Sequence, residues 1–174
     1  DLIYGDCLSF AEQGPRARVY RPPAHDVEWL KLVDYVVQPS SFWRRSLWNR
    51  TGPLNESLPY AFDWDWYLRA SELGRVRKVD RIFSAYRFHD AHKSSHGGEK
   101  RAREIVEVAR VRGGESTARH YEFAFGHAAD LRTYENWVLR LQGRGVRQRQ
   151  PARWLTPGIA PKRIEVLTST TGTM

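Results

Sequence analysis

Hydrophobic and polar positions along the chain follow two periods, and the changes of period mark its elements. Leu2, Ile3, Tyr4 and Leu8 make residues 1–10 a strand. Glu12-Gln13-Gly14-Pro15 is a turn, and residues 18–21 form the returning strand of a hairpin that Pro22-Pro23 stops. Residues 27–35 read as a short helix with Val27, Leu30 and Tyr35 toward the core, followed by an extended Val36-Val37 that ends at Pro39. A second helix is expected to start near Ser40 or Ser41, either of which can cap it, and to end at Gly52-Pro53. The clearest helix is Phe62–Leu73, where Phe62, Trp66, Arg69, Ala70 and Leu73 recur at the spacing of one helical face before Gly74. Val76–Phe88 reads as extended and residues 89–98 as a polar loop. Residues 100–111 predict a helix with Ala102, Ile105, Val106 and Ala109 inward, residues 121–141 a helix in pieces, and residues 168–174 a disordered end.

Composition narrows the class. Hydrophobic residues make up 41% and aromatics 13% of 174, enough for one ordinary core. No apolar run approaches the ~20 residues of a membrane-spanning helix. Cys7 stands alone, so no internal disulfide is possible, and its apolar setting reads as a small core residue in preference to a nucleophile. A net charge of +8 and a pI near 9.9 call for an anionic partner. Nucleic acid, anionic lipid and sugar nucleotides all answer to that. Arg140, Arg144, Arg147, Arg149 and Arg153 follow one another with no acidic residue between them. No secretory signal is visible, and the opening Asp-Leu-Ile-Tyr reads as a strand cut from something longer.

The middle of the chain carries the candidate chemistry. Gln38-Pro39-Ser40-Ser41-Phe42-Trp43-Arg44-Arg45 precedes Gly52-Pro53-Leu54-Asn55-Glu56; Phe62-Asp63-Trp64-Asp65-Trp66-Tyr67-Leu68-Arg69 and Tyr86-Arg87-Phe88-His89 follow. This order and spacing resembles family 2 glycosyltransferases of the GT-A fold, over about residues 1–95. Four motifs in the right order are more specific than any one alone. Phe62 departs from the family, whose members often carry Glu at that position.

The resemblance implies a partial GT-A (Rossmann-like) α/β fold with a mixed sheet and flanking helices. It implies inverting transfer of a hexose or deoxyhexose from a nucleotide-sugar donor to a hydroxyl acceptor, either a cell-envelope saccharide or a lipid-linked sugar. The donor-binding half, with its Asp-x-Asp-like motif for Mg²⁺ or Mn²⁺, is not in this sequence, so the chain is expected to be a fragment or one part of a split protein, inactive alone. Residues 1–98 are then the acceptor-side half of the domain, 99–145 a helical extension and 146–174 a basic flexible tail. A cytoplasmic location is expected, with peripheral contact at the inner face of the membrane.

Asp63 stands near a helix start, where free backbone N–H groups and the helix dipole favour an anion and would keep it ionised. By itself it reads as an N-cap; with the resemblance it is the general base that takes the acceptor's proton. Asp65, two residues on, points elsewhere and suits an arginine partner. Trp64, Trp66 and Tyr67 read either as a sugar-stacking platform or as core. Arg69 reads as a partner of Asp65 or as a donor-phosphate contact. Gln38, Ser40 and Ser41 are expected at the acceptor pocket, Arg44 and Arg45 at solvent or an anionic acceptor, and Lys93 with Ser94-Ser95 over the diphosphate. His89 is the implied metal ligand. His92 and His96 follow closely, but without cysteines or a second ligand pair they make no zinc pattern. Two other classes remain open: a nucleic-acid-binding module, although the aromatics fall in helices and no stacking motif is recognisable, and a membrane-surface module held by the basic run at residues 140–153.

Overall fold

In the computed structural model, residues 1–11, 17–89, 93 and 96–127 are described. The described residues build a four-stranded sheet and five α-helices. In order these are β1 (Leu2–Ala11), β2 (Ala17–Tyr20), α1 (Val27–Leu32), β3 (Ser41–Trp43), α2 (Arg45–Thr51), α3 (Phe62–Leu73), β4 (Val76–Phe88), α4 (Gly98–Val108) and α5 (Glu115–Gly126). The expected turn at residues 12–15, the basic run, the tail and the far end of the helix expected over 121–141 lie outside the described residues.

The sheet is mixed. β4 runs parallel along the whole of β1, while β3 at Leu2–Tyr4 and β2 at Cys7–Phe10 pair with it antiparallel, one after the other on the remaining edge. Leu2 and Tyr4 point into the core and Ile3 points out, the alternation a half-covered strand requires. Cys7 is buried, with its thiol unlinked. Among the described residues no helix is long and apolar enough to cross a membrane.

Two differences from the sequence reading have local causes. Gln38–Ser40 is a 3₁₀ turn and Ser41–Trp43 a strand, so the second helix begins later, at Arg45. Neither serine caps it. Ser41 Oγ donates to the Gln38 carbonyl at 2.8 Å, and Ser40 Oγ donates to the Asp6 carbonyl at 3.0 Å while meeting Ser84 Oγ. Gly52, at φ 80°, does end α2.

Gly5 is required by a bulge. The β1–β4 register shifts on both sides of Asp6, so β4 carries extra residues over this point. A Cβ on Gly5 would lie 2.5 Å from the Arg81 carbonyl oxygen and 2.6 Å from the Phe83 ring. Gly5→Val is therefore expected to destabilise the fold by about 1–3 kcal/mol or more, the cost of overpacking. Urea denaturation checks this, and an unchanged midpoint would mean that the bulge yields.

α3 is buried over most of its length, from Trp64 to Leu68 and at Ala70, because it lies between layers. Trp66 meets Trp43 and Trp48 at ring-centroid distances of 4.5 and 5.6 Å, and its indole N–H donates to the Gly52 carbonyl. On another side Trp64 stacks edge-on with Tyr121 of α5 and donates to the Leu30 carbonyl at 2.8 Å. α4 and α5 join the same core through Ile105, Val108, Tyr121 and Ala124. Tyr121 also ties α5 to the end of α1, donating to the Leu32 carbonyl at 2.9 Å.

Candidate functional site

Asp63 occupies the first turn of α3, behind the N-cap residue Ala61. It is not itself the cap. Its Oδ1 accepts the Trp64 amide at 3.0 Å, and the side chain is half-buried. Burial raises its pKa above the ordinary 3.8, while hydrogen bonds and the charges of Arg101 and Lys93 pull it back. The helix start was expected to favour the anion; here desolvation is the larger effect.

The reason lies partly in a residue that sequence reading passed over. Asp34, in the segment after α1, accepts the Val36 amide on Oδ1 at 3.2 Å. Burial first, and then the negative charge of Asp63, push its carboxyl well above 3.8, with Arg101 opposing. The two carboxylates therefore titrate as a pair. A lone acid within Leu30-Lys31-Leu32-Val33-Asp34-Tyr35-Val36-Val37 was the available signal, since an apolar run has no use for a charge unless something faces it.

Tyr67, one turn beyond Asp63, completes the cluster. Its hydroxyl meets Ser41 Oγ at 2.6 Å. Because Ser41 gives its proton to Gln38, Tyr67 is the donor to Ser41. Burial, with the charges of Asp63 and Asp34, raises the phenol's pKa and keeps it neutral. Lys93 donates from Nζ to the Pro59 carbonyl at 2.7 Å and lies over the rings of Tyr60 and Phe62. It reaches Asp63 as a charge and not as a direct ligand.

Glu104 of α4 is the second residue missed. It is buried, and its Oε2 accepts the amides of Tyr60 and Ala61 at 2.6 and 3.3 Å, so a neighbouring helix fixes the chain where α3 begins. Its signal was the four-residue spacing to Val108, which puts it on the inward face.

The other expected site residues fall elsewhere. Trp64 is 3% exposed and lies in the core, with no ring face left for a sugar. Asp65 is buried between Arg69 Nε at 2.9 Å and Arg112, whose Nη2 is 3.0 Å away. Arg69 also gives Nη1 to the Thr51 carbonyl at 2.6 Å and Nη2 to the Pro53 carbonyl at 2.8 Å, so these two nitrogens tie α3 to the end of α2 while Nε holds Asp65 within α3. Ser40 is fully buried and Gln38 exposed. His89 follows the last residue of β4 and is half-buried, His96 is exposed, and His92 lies outside the described residues. Among the described residues no three His, Cys, Asp or Glu side chains come together as a metal site. His89 alone does not make a centre.

What remains is a pair of carboxylates with raised pKa values, two cations that moderate them, and a neutral phenol. A carboxylate whose pKa is raised in this way is, when ionised, a stronger proton acceptor than a solvated one.

No family model matches the chain. Over 121 residues it is 28% identical to a protein of Bacillus subtilis (strain 168) named as the uncharacterized glycosyltransferase YwdF. The match takes in 65% of this chain and 45% of that protein, so the chain aligns with less than half of its relative's length.

Proposed function

We propose that the chain is the acceptor-side part of a family 2, GT-A-type glycosyltransferase, and that Asp63 is its general base. The observation that carries this reading is the half-buried Asp63 at the start of α3, coupled to Asp34 and moderated by Lys93 and Arg101. The likeness to a protein named as a glycosyltransferase supports the class.

In this reading an acceptor hydroxyl attacks the anomeric carbon of a nucleotide-sugar. The new C–O bond forms as the bond to the nucleoside diphosphate breaks, and the hydroxyl proton passes to the Asp63 carboxylate. The anomeric configuration inverts. The charge on Asp63 adds to burial in raising the pKa of the Asp34 carboxyl, so ionisation of Asp63 opposes that of Asp34. Asp34 thereby acts as a positioning residue that limits the negative charge around the base. A divalent cation against the diphosphate belongs to the same reading, where it would neutralise charge on the leaving nucleotide, and His89 would be the ligand expected from this chain. Acceptors of the cell envelope or on a lipid carrier, and a peripheral position on the cytoplasmic side of the membrane, fit the net charge of +8. Transfer assays on the full-length protein carrying Asp63→Asn test the assignment.

The acid pair also sets a pH dependence. Both carboxyls titrate above 3.8 in the folded chain, so the folded state holds their protons more tightly than the unfolded state. Their stabilising contribution is full below 3.8 and is lost as pH rises through the folded values. Asp34→Asn should make the fall in thermal midpoint above about pH 4 shallower. In Asp63→Asn the remaining Asp34 carboxyl should titrate lower than in the wild type, read by carboxyl carbon NMR. An unmoved Asp34 titration would rule out the coupled pair.

A further inference from the structure

We propose that the cleft between the end of β3 and the outer face of α2 binds an anionic sugar, a saccharide ring carrying a carboxylate or a phosphate. Trp43, Arg45, Trp48 and Asn49 line this open cleft of about 430 Å³. That is a small-ligand volume. Arg45, Trp48 and Asn49 stand at i, i+3 and i+4 of α2 and so share one face, opposite Trp43.

The floor is aromatic and braced. Trp43 and Trp48 lie nearly parallel, 14° apart with centroids at 6.2 Å, and both lean on Trp66. Trp66 is itself 1% exposed and anchored to the Gly52 carbonyl at 3.0 Å. Trp43 and Trp48 remain half-buried, so a ligand meets rings whose positions are already set. Such rings suit the C–H face of a sugar.

The rim is polar and basic. Exposed Arg45 offers a planar pair of donors that matches a carboxylate or phosphate. Exposed Asn49 offers a donor and an acceptor for ring hydroxyls. α2 contains no acidic residue, and Arg44 and Arg50 add positive charge on either side. Two indoles against an arginine and an asparagine match a ring with one apolar face and a polar, negatively charged edge. The groups around Asp63, namely Asp34, Tyr67, Lys93 and Arg101, are a different set. The proposal therefore does not depend on glycosyl transfer.

Isothermal titration of the 174-residue chain tests it, with glucuronate, glucose 1-phosphate, glucose, inorganic phosphate and uridine monophosphate as probes. Glucuronate, glucose 1-phosphate or both should bind at least about tenfold more tightly than glucose or phosphate, the scale of one charge-assisted contact. Arg45→Ala, at an exposed position, should weaken that binding about tenfold without moving the thermal midpoint. Trp48→Ala should abolish it. If Trp48→Ala does not fold, Arg45→Ala alone decides. Phosphate binding as tightly as the sugars would reduce the cleft to an ion site and overturn the proposal. Tighter binding of uridine monophosphate would make it a nucleotide site, and binding that Arg45→Ala leaves as tight as in the wild type would place the ligand elsewhere. Either result overturns the proposal, as does the absence of binding by both anionic sugars.

Discussion

Asp63→Asn in the full-length protein is expected to lower sugar transfer by at least about a hundredfold, the lower end of what a positioned general base contributes. Asparagine has nearly the same shape. Its Oδ1 can still accept the Trp64 amide, which Asp63 now holds at 3.0 Å, so the first turn of α3 keeps its geometry. What it cannot do is take a proton. Donor affinity should therefore stay close to the wild type while kcat falls, the pattern of an interaction made only in the transition state. The wild-type rate should rise with pH as Asp63 ionises, and because burial raises that pKa, the rise should lie above 3.8. Transfer that stays within about threefold of wild type would remove Asp63 from the role of base, since a positioned general base typically contributes about a hundredfold or more. A fall in thermal midpoint with an equal loss of donor binding would point instead to a structural role.

The second large effect concerns stability. Asp65→Ala should destabilise the fold by about 3–5 kcal/mol, the cost of breaking a buried ion pair from one side. Asp65 is 6% exposed and meets two guanidinium groups at once. Arg69 would keep its bonds to the Thr51 and Pro53 carbonyls but lose its counter-charge. Arg112, on the π-helical turn after α4, would lose the contact that joins that turn to α3. Urea denaturation measures the loss. A stability change below about 0.5 kcal/mol, as at an ordinary surface site, would show that the network is not structural and would return Arg69 to its alternative reading as a donor-phosphate contact.

Several elements could be read directly from residue order. The span of α3 follows from its apolar period, and its expected bounds match the structure at both ends. The β1–β2 hairpin and the extended Val76–Phe88 follow from alternation and from turn residues. Asp63 in a first helical turn is a consequence of where α3 begins. The start of α2 was misread because Ser40 and Ser41 are good caps by residue type. Their hydroxyls found partners that sequence distance hides: the Asp6 carbonyl and Ser84 for one, Tyr67 for the other.

Local periodicity and capping act over a turn or two of chain, so they specify helices, strands and the end of a helix on which an acid lies. They say nothing about what that acid faces. The pairing of Asp34 with Asp63, the hold of Glu104 on the start of α3, and the burial of Trp64 under Tyr121 each depend on how α1, α4 and α5 close over α3. Those contacts are made by packing between distant segments, and packing is also what desolvates Asp63 and turns an ordinary first-turn aspartate into one with a raised pKa.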